Sequence, residues 1–381
     1  MMRVAVIGRG LIGSAAARYL AKAGHEVLLI GPDEPTEKAG HDGPFGSHYD
    51  EARITRRLDP NPFWAEVAAA SIARYADIEI EGEARFYIPA GALMTGPKDG
   101  ATVRGIREVQ AITGDQTPEL DCNALSTRFE FLAFPGGTVG FHETKSAGYV
   151  NPRRLILAQS NAAQKHGARI VRHPVEEITE TDKRAKVVAA GQLFEVDQVL
   201  VAAGAYTNFL LPKPLDLTIY ARTIALLETD AAETERLRRM PSLLYRFPDG
   251  RDPYLLPPIP YPDGRTYLKI GGESANVTLN SLQDISRWFR SGGNPQVAAY
   301  LTEMACEILP GLRILAVQAD ACAVMYTKTG LPYIDRVSSR ISVATGGCGA
   351  AAKCSDELGR LGAEAVEGRI RTELKAIFKG S

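Results

Sequence analysis

The feature that most limits what this chain can become is the pattern Gly8-x-Gly10-x-x-Gly13. It lies between the apolar run Val4-Ala5-Val6-Ile7 and an alanine-rich stretch of helical spacing that reaches Ala23. Together they predict a strand, a tight turn and a helix, followed by a second strand over residues 26–30. The first glycine permits the turn, the second lets backbone approach a pyrophosphate, and the third lets the helix lie close on the strand. Amide groups at the helix start then face the phosphates. A glycine pattern alone is weak evidence, but one flanked by a strand and a helix points to dinucleotide binding. The acid expected at the end of the second strand, where it would bond the adenosine ribose, is missing. Gly31 and Pro32 stand there, and Asp33 and Glu34 follow, so that Asp33 reads as a solvated turn acid before it reads as a ribose contact.

With 381 residues, 45% of them apolar and 23% charged, the chain can bury a sizeable core and form two or more domain-like units. A net charge of −1 gives no general attraction to nucleic acid or to an anionic membrane, which leaves small molecules as the expected partners. The chain opens directly on the nucleotide strand and shows no apolar run long enough to span a bilayer, so a cytoplasmic location is expected. Five cysteines without paired metal-ligand spacing predict reduced thiols, with neither a disulfide framework nor zinc.

Beyond the nucleotide strand, residues 39–49 form a loop of glycine, proline and histidine leading into Asp50-Glu51-Ala52-Arg53-Ile54-Thr55-Arg56-Arg57. Loops of this kind carry chemistry or merely meet solvent. Helical spacing returns over 63–75 and strand-like alternation over 84–94, broken by Pro89 and Gly91. A helix is expected over 152–166, a short strand over 169–171, a hairpin of 186–189 and 193–196 around Gly191, and a buried strand over 198–202 that returns to the nucleotide sheet. Between 215 and 318 come strand-like patches at 218–229 and 266–270, a proline-rich stretch over 253–262, and helical patterns around Ile285 and Val297. This suits a second, substrate-covering domain. Strand 341–345, the turn Gly346-Gly347-Cys348-Gly349 and a helix over 352–366 repeat the opening logic at the other end.

At this point the chain resembles the flavin amine oxidases typified by monomeric sarcosine oxidase, within the D-amino-acid-oxidase group. The resemblance spans nearly the full length. It rests on Gly8 to Gly13, on Gly46-Ser47-His48 through Arg53 and Arg56, on Leu268-Lys269-Ile270-Gly271, on Met325-Tyr326-Thr327-Lys328-Thr329, and on the glycine loop ending at Lys353. It implies an α/β fold with a discontinuous Rossmann-like FAD-binding domain (1–85, 140–214 and 320–381) and an antiparallel-sheet α+β substrate domain (86–139 and 215–319). The flavin would lie between them.

Further roles follow from the same resemblance. FAD would contact Gly8, Gly10, Leu11, Ile12, Gly13, Ser47, His48, Arg53, Val175, Ala203, Gly204, Gly346, Gly347, Gly349 and Lys353. Arg56 and Lys353 fall where the family holds a substrate carboxylate, a task that suits a guanidinium fork beside a second cation. Lys269 matches the lysine beneath the flavin, whose charge favours electron transfer to oxygen. Taken singly, each of these cations reads as a surface residue. Tyr326 would line the substrate cavity, with Tyr49, Tyr254 and Glu273 as further pocket positions. Tyr49 stands in place of a second histidine, and Glu273 in place of a histidine. An acid there resembles the oxidases of sugar-modified amino acids. Val324 occupies the position of the cysteine that links covalently to flavin, which implies non-covalent FAD. Cys322, two residues earlier, reads as a small buried core residue.

The expectation is an FAD-dependent oxidase of a secondary or cyclic amino acid, giving an imine and hydrogen peroxide, as a monomer or small homo-oligomer. A fructosyl-amino-acid-type oxidase and a flavin dehydrogenase serving an electron carrier are the alternatives. A nucleotide-binding sensor without turnover and an NAD-dependent dehydrogenase both leave Arg56, Lys269 and Lys353 without a task.

Overall fold

The computed structural model describes residues 1–272 and 275–380. Its first sheet has six strands in the order Tyr333–Arg336, Ile341–Thr345, Gln198–Val201, Arg3–Ile7, Glu26–Ile30, Arg169–Val171. All neighbours run parallel except the first pair. Strand Arg3–Ile7 is central, and Val4 to Ile7 are buried on both faces, which is why it reads as a continuous apolar run instead of an alternating one. The strand expected at 198–202 is its neighbour, so the sheet is assembled from the start, middle and end of the chain. Helix Leu11–Lys22 packs against the last long helix, Ala351–Val366. A Cβ at Gly359 would stand 2.5 Å from that of Ala15, so the two helices meet backbone to backbone. Asp356 of the last helix joins it to the first by accepting from Tyr19 (2.9 Å) and pairing with Arg18 (3.4 Å), and it also accepts from Arg74 Nε (2.6 Å) and Gln159 (2.8 Å).

The second large sheet has eight strands: Val317–Thr327, Leu217–Glu228, Thr266–Gly271, Tyr254–Pro260, Ser242–Tyr245, Ala92–Pro97, Thr138–Glu143 and Glu119–Leu120. One pair, Ser242–Tyr245 with Ala92–Pro97, is parallel, so the sheet is mixed where an antiparallel one is implied. Two of its strands straddle the domain limits expected at 139/140 and 319/320, because each is hydrogen-bonded along its length to this sheet. The proline-rich stretch is a strand as well, with a register shift between Leu256 and Ile259 that accommodates Pro257 and Pro258. The strand-like segment 84–94 is cut at Pro89 into Tyr87–Ile88 and the start of Ala92–Pro97. Helices Leu282–Arg290 and Pro295–Ile308 cover part of the second sheet, the latter through Ala298, Leu301, Met304 and Ile308. Among the described residues no helix is long and apolar enough to cross a membrane.

Candidate active site

A cavity of about 1080 Å³ extends from the first glycine turn to the start of the last long helix. At the turn its wall includes Gly8, Gly10, Leu11, Ile12, Val175, Ala203 and Gly204. Gly8 has φ +107°, and a Cβ there would stand 2.2 Å from the Ala202 carbonyl oxygen. Gly13 lies outside the wall. A Cβ on it would come within 1.8 Å of the Gly8 carbonyl, so its task is to let the helix close on the turn. Gly10 is different, since a Cβ would find His48 Nδ1 at 3.8 Å and nothing nearer. It is the N-cap of Leu11–Lys22 without a side-chain cap, and so the positive helix end opens into the cavity. This elongated cavity with an uncapped helix end fits the pyrophosphate of FAD.

Gly31 has a physical reason for replacing an acid: a Cβ would lie 2.7 Å from the Arg9 amide nitrogen. Asp33 is half exposed, is bonded by Arg9 and Arg172, and does not line the cavity. Loss of hydration alone would raise the Asp33 carboxyl, but Arg9 and then Arg172 together outweigh it and hold it below the usual range.

Ser47, His48, Tyr49 and Arg53 form the middle of the wall. Burial, and then the charges of Arg153, Arg53 and Arg9, push the His48 pKa down to about 3, so its imidazole is neutral at physiological pH. Tyr49 packs edge-on against it at 4.7 Å, and burial raises the Tyr49 phenol to about 12. Arg53 donates to the Ser47 carbonyl (2.9 Å) and to the Asp50 carboxylate. Asp50 also receives the Lys269 ammonium and the Tyr261 hydroxyl (3.0 Å).

Lys269 is fully buried, which removes the solvent-facing reading of a lysine in an alternating strand. It stands behind the wall, bonded to Asp50 and to the Ala52 carbonyl (2.8 Å), 5.7 Å from the ring of Tyr254. Tyr254 does face the cavity. Burial, and then Arg53, press the Lys269 pKa down, while the touching Asp50 carboxylate favours the charged form. Glu273 lies outside the described residues.

At the far end Arg56 and Lys353 come together although nearly three hundred positions apart in sequence. Both line the cavity, both are buried, and both bond one oxygen of Asp59, Arg56 Nη1 at 3.0 Å and Lys353 Nζ at 3.1 Å. Lys353 also donates to the Trp64 carbonyl at 3.3 Å. Burial alone would raise the Asp59 pKa; Arg56 and Lys353 more than reverse this and hold it ionised. Among the described residues, Arg56 Nε is buried without a partner. Two cations sharing one anion leave one positive charge uncompensated beside the cavity, the arrangement a substrate carboxylate requires. Surface placement of either cation is excluded.

Gly346, Gly347 and Gly349 line the same cavity. Gly346 and Gly349 have φ near +78° and +79°, and Cys348 between them has φ +47°. Tyr326 is 37% exposed, and a Cβ at Gly349 would stand 3.6 Å from its hydroxyl. Val324 and Cys322 are both in the wall. The reading of Cys322 as a core residue is therefore corrected. Positions 322, 324 and 326 share one strand face, that face borders the cavity, and Cys322 Sγ lies 3.6 Å from Arg53 Nη2. Asp50 and Asp59 were not singled out in the sequence. The spacing of Asp59, three residues after Arg56, is the one signal that could have marked it.

Residues 3–365 match the family model described as FAD dependent oxidoreductase, DAO. The chain belongs to this family. As a DAO-family flavoprotein it is similar to monomeric sarcosine oxidase from Bacillus sp. (strain NS-129), 27% identical over 86% of this chain and 81% of the relative. It is also similar to N-methyl-L-tryptophan oxidase from Salmonella newport (strain SL254), 22% identical over 73% of this chain and 72% of the relative. Among solved structures, NikD, an unusual amino acid oxidase essential for nikkomycin biosynthesis, shares the fold with a TM-score of 0.76. It is 19% identical over 99% of this chain and 98% of NikD. L-proline dehydrogenase from P. horikoshii shares it with a TM-score of 0.75, at 17% identity over 98% and 95% of the two chains. The implied fold and the FAD cofactor are thus borne out, and this DAO-family member is an FAD-dependent oxidoreductase.

Proposed function

We propose that this FAD-dependent oxidoreductase oxidises the C–N bond of a secondary (N-alkyl) or cyclic amino acid to an imine, with O₂ reduced to H₂O₂. The observation that carries this reading is the convergence of Arg56 and Lys353 on Asp59 in the cavity wall. Their excess positive charge would take the substrate carboxylate, while Tyr326 and Tyr254 limit the space around the amine. When bound, FAD supplies the redox chemistry, accepting a hydride equivalent from the carbon beside the nitrogen and passing two electrons and the accompanying protons to oxygen. If the amine enters neutral, the chain need only orient it and exclude water. Water then hydrolyses the released imine.

The uncapped start of Leu11–Lys22 would hold the pyrophosphate, and the turn 346–349 with the following helix start would face the flavin ring. Val324 leaves the expected attachment position without sulfur, so FAD would be held non-covalently. The nucleotide part would comprise the expected segments 1–85, 140–214 and 320–381, apart from the two strands that straddle their limits. The relatives named for sarcosine and N-methyl-L-tryptophan support an N-methyl amino acid as substrate.

One observation favours a second reading, a dehydrogenase that passes electrons to a carrier. Lys269 is not in the cavity wall but is tied behind it to Asp50 and the Ala52 carbonyl, which takes its charge away from the place where it would assist oxygen. The test is anaerobic flavin bleaching with a panel of N-methyl, cyclic, D- and sugar-modified amino acids, followed by admission of air. Rapid reoxidation with stoichiometric peroxide supports the oxidase. Slow reoxidation with rapid dye reduction supports the dehydrogenase, and no bleaching by any amine sinks both.

A further inference from the structure

The place where a ribose acid would stand is filled by another residue. A Cβ at Gly31 would lie 2.9 Å from the Cβ of Arg9 as well as 2.7 Å from its amide nitrogen, so the Arg9 side chain starts where the side chain of an acid at 31 would start. Both residues line the cavity at the end of strand Glu26–Ile30, beside Ile30 and Pro32. Dinucleotides bind beyond the carboxyl ends of such strands, with the adenosine ribose at the second one. The exchange also reverses the chemistry on offer. A carboxylate only accepts hydrogen bonds, whereas a guanidinium only donates them.

Arg9 is held so that part of it stays free. Its side chain is 12% exposed, and both of its hydrogen bonds, to the Pro32 carbonyl at 3.2 Å and to the Asp33 carboxylate, fall on Nη2. Among the described residues Nε is sealed by protein atoms, while Nη1 is neither sealed nor hydrogen-bonded. The charge reaches into the cavity, since after burial and the charges of Arg153 and Arg53 it is Arg9 that further depresses the His48 imidazole. The acids around it are already occupied. Asp33, outside the wall, is shared with Arg172 at 2.6 Å, and Glu34, also outside it, is bonded twice by Arg153, at 2.6 and 2.7 Å. Glu176, which is in the wall, accepts from the Gly191 amide at 3.2 Å.

We infer that Arg9, through its free Nη1, holds the adenosine ribose of FAD in place of the missing acid, and that this end of the cavity accepts a phosphate on that ribose, which an acid would repel. The hydroxyl oxygens of the ribose, or the oxygens of a 2′-phosphate, take the donated bond. Asp33 and the Pro32 carbonyl keep the guanidinium in place through Nη2. This contact serves the cofactor whichever amine is oxidised.

The FAD-loaded enzyme is diluted and the release of FAD is followed by flavin fluorescence for the wild type, Arg9→Ala, Arg9→Lys and Arg172→Ala, with the melting temperature of each loaded variant as the check on folding. Arg9→Ala is expected to weaken FAD about tenfold or more, as for a lost charged hydrogen bond. Arg9→Lys should recover part of that loss, and Arg172→Ala should stay within about twofold because Arg9 keeps both of its own bonds. Displacement of bound FAD by ADP-ribose and by 2′-phospho-ADP-ribose then reads the charge preference. The wild type should take the phosphorylated ligand at least as tightly as the plain one, and Arg9→Ala should lower that ratio about fivefold or more, a change that a merely structural role would not produce. Melting shifts caused by the two ligands on the flavin-free full chain give the same ordering however the flavin is attached. An FAD affinity in Arg9→Ala within about twofold of the wild type, or an equal loss in Arg172→Ala, overturns the contact. A penalty of about tenfold for the 2′-phosphate in the wild type, or a ratio that Arg9→Ala leaves unchanged, overturns the preference for phosphate.

Discussion

The two ends of the cavity are built from different materials. The nucleotide end is made of backbone: glycines at 8, 10 and 13, an uncapped helix start, and close carbonyl contacts that forbid a Cβ. The substrate end is made of buried charge, with Arg56 and Lys353 drawn to Asp59. At Gly8 and Gly13 the backbone geometry tolerates no side chain but needs no partner. Buried charge tolerates no loss of its partner. The two ends should consequently fail in different ways when altered.

The largest expected effect is at the backbone end. Gly13→Val would place a branched side chain where even a Cβ would be 1.8 Å from the Gly8 carbonyl, and it should yield protein without flavin, or insoluble protein. Gly10→Ala sharpens the comparison, since that Cβ has room. It should fold with an unchanged melting temperature yet bind FAD more weakly, as measured by flavin release on dilution. Equal melting losses in both variants would break the contrast.

At the charged end, Asp59→Ala removes the shared anion and leaves two buried cations together, which should cost on the order of 3–5 kcal/mol in denaturant unfolding. Asp59→Asn, which keeps the shape, serves as the control for packing. Next in size, Lys353→Ala should weaken a carboxylate inhibitor by about 1.5–3 kcal/mol with FAD retained, because Arg56 still holds Asp59. Unchanged inhibitor affinity would detach Lys353 from substrate binding.

His48 joins the two ends and supplies the pH test. Its pKa in the fold, about 3, lies below the ordinary value of about 6.5, so the unfolded chain binds the proton more readily. Its contribution to stability is complete above pH 6.5 and is lost as pH falls towards 3, with a slope approaching about 1.4 kcal/mol per pH unit. His48→Gln should flatten that part of the stability profile, and a profile unchanged by the substitution would show the imidazole to be solvated. The smallest energetic effect, though a visible one, concerns attachment. Acid precipitation should release all of the flavin from the wild type, given Val324, and flavin left on the pellet would turn attention to Cys322 in the same wall.

This division of materials explains what could be read in advance. Gly8 to Gly13, the strand over 198–202 and the final strand-turn-helix were legible because local sterics and apolar period dictate them. Arg56, Lys353 and Lys269 could be marked only through family resemblance, since a lone cation looks the same on a surface as in a cavity. Their partners escaped notice. Asp50 and Asp59 are ordinary loop acids in one dimension, and only the folded chain brings Asp50 to Lys269, 219 positions away. Cys322 departs from its reading as a core residue for a related reason: a small apolar alternation does not tell whether the buried face borders a core or a cavity.

The nucleotide sheet has its own consequence for how the protein is made. Strand Arg3–Ile7 emerges first, but one neighbour is residues 198–201, the next strand out is 341–345, and its covering helix ends at Val366. A nascent chain that has not reached residue 198 has an open sheet edge and no Lys353. Because the ribosome adds roughly 5–20 residues per second, this unfinished edge persists for many seconds before the last helix can close it. Cofactor capture must then wait for the last helix, and chaperone dependence should track the exposure of that edge more closely than the final stability of the enzyme.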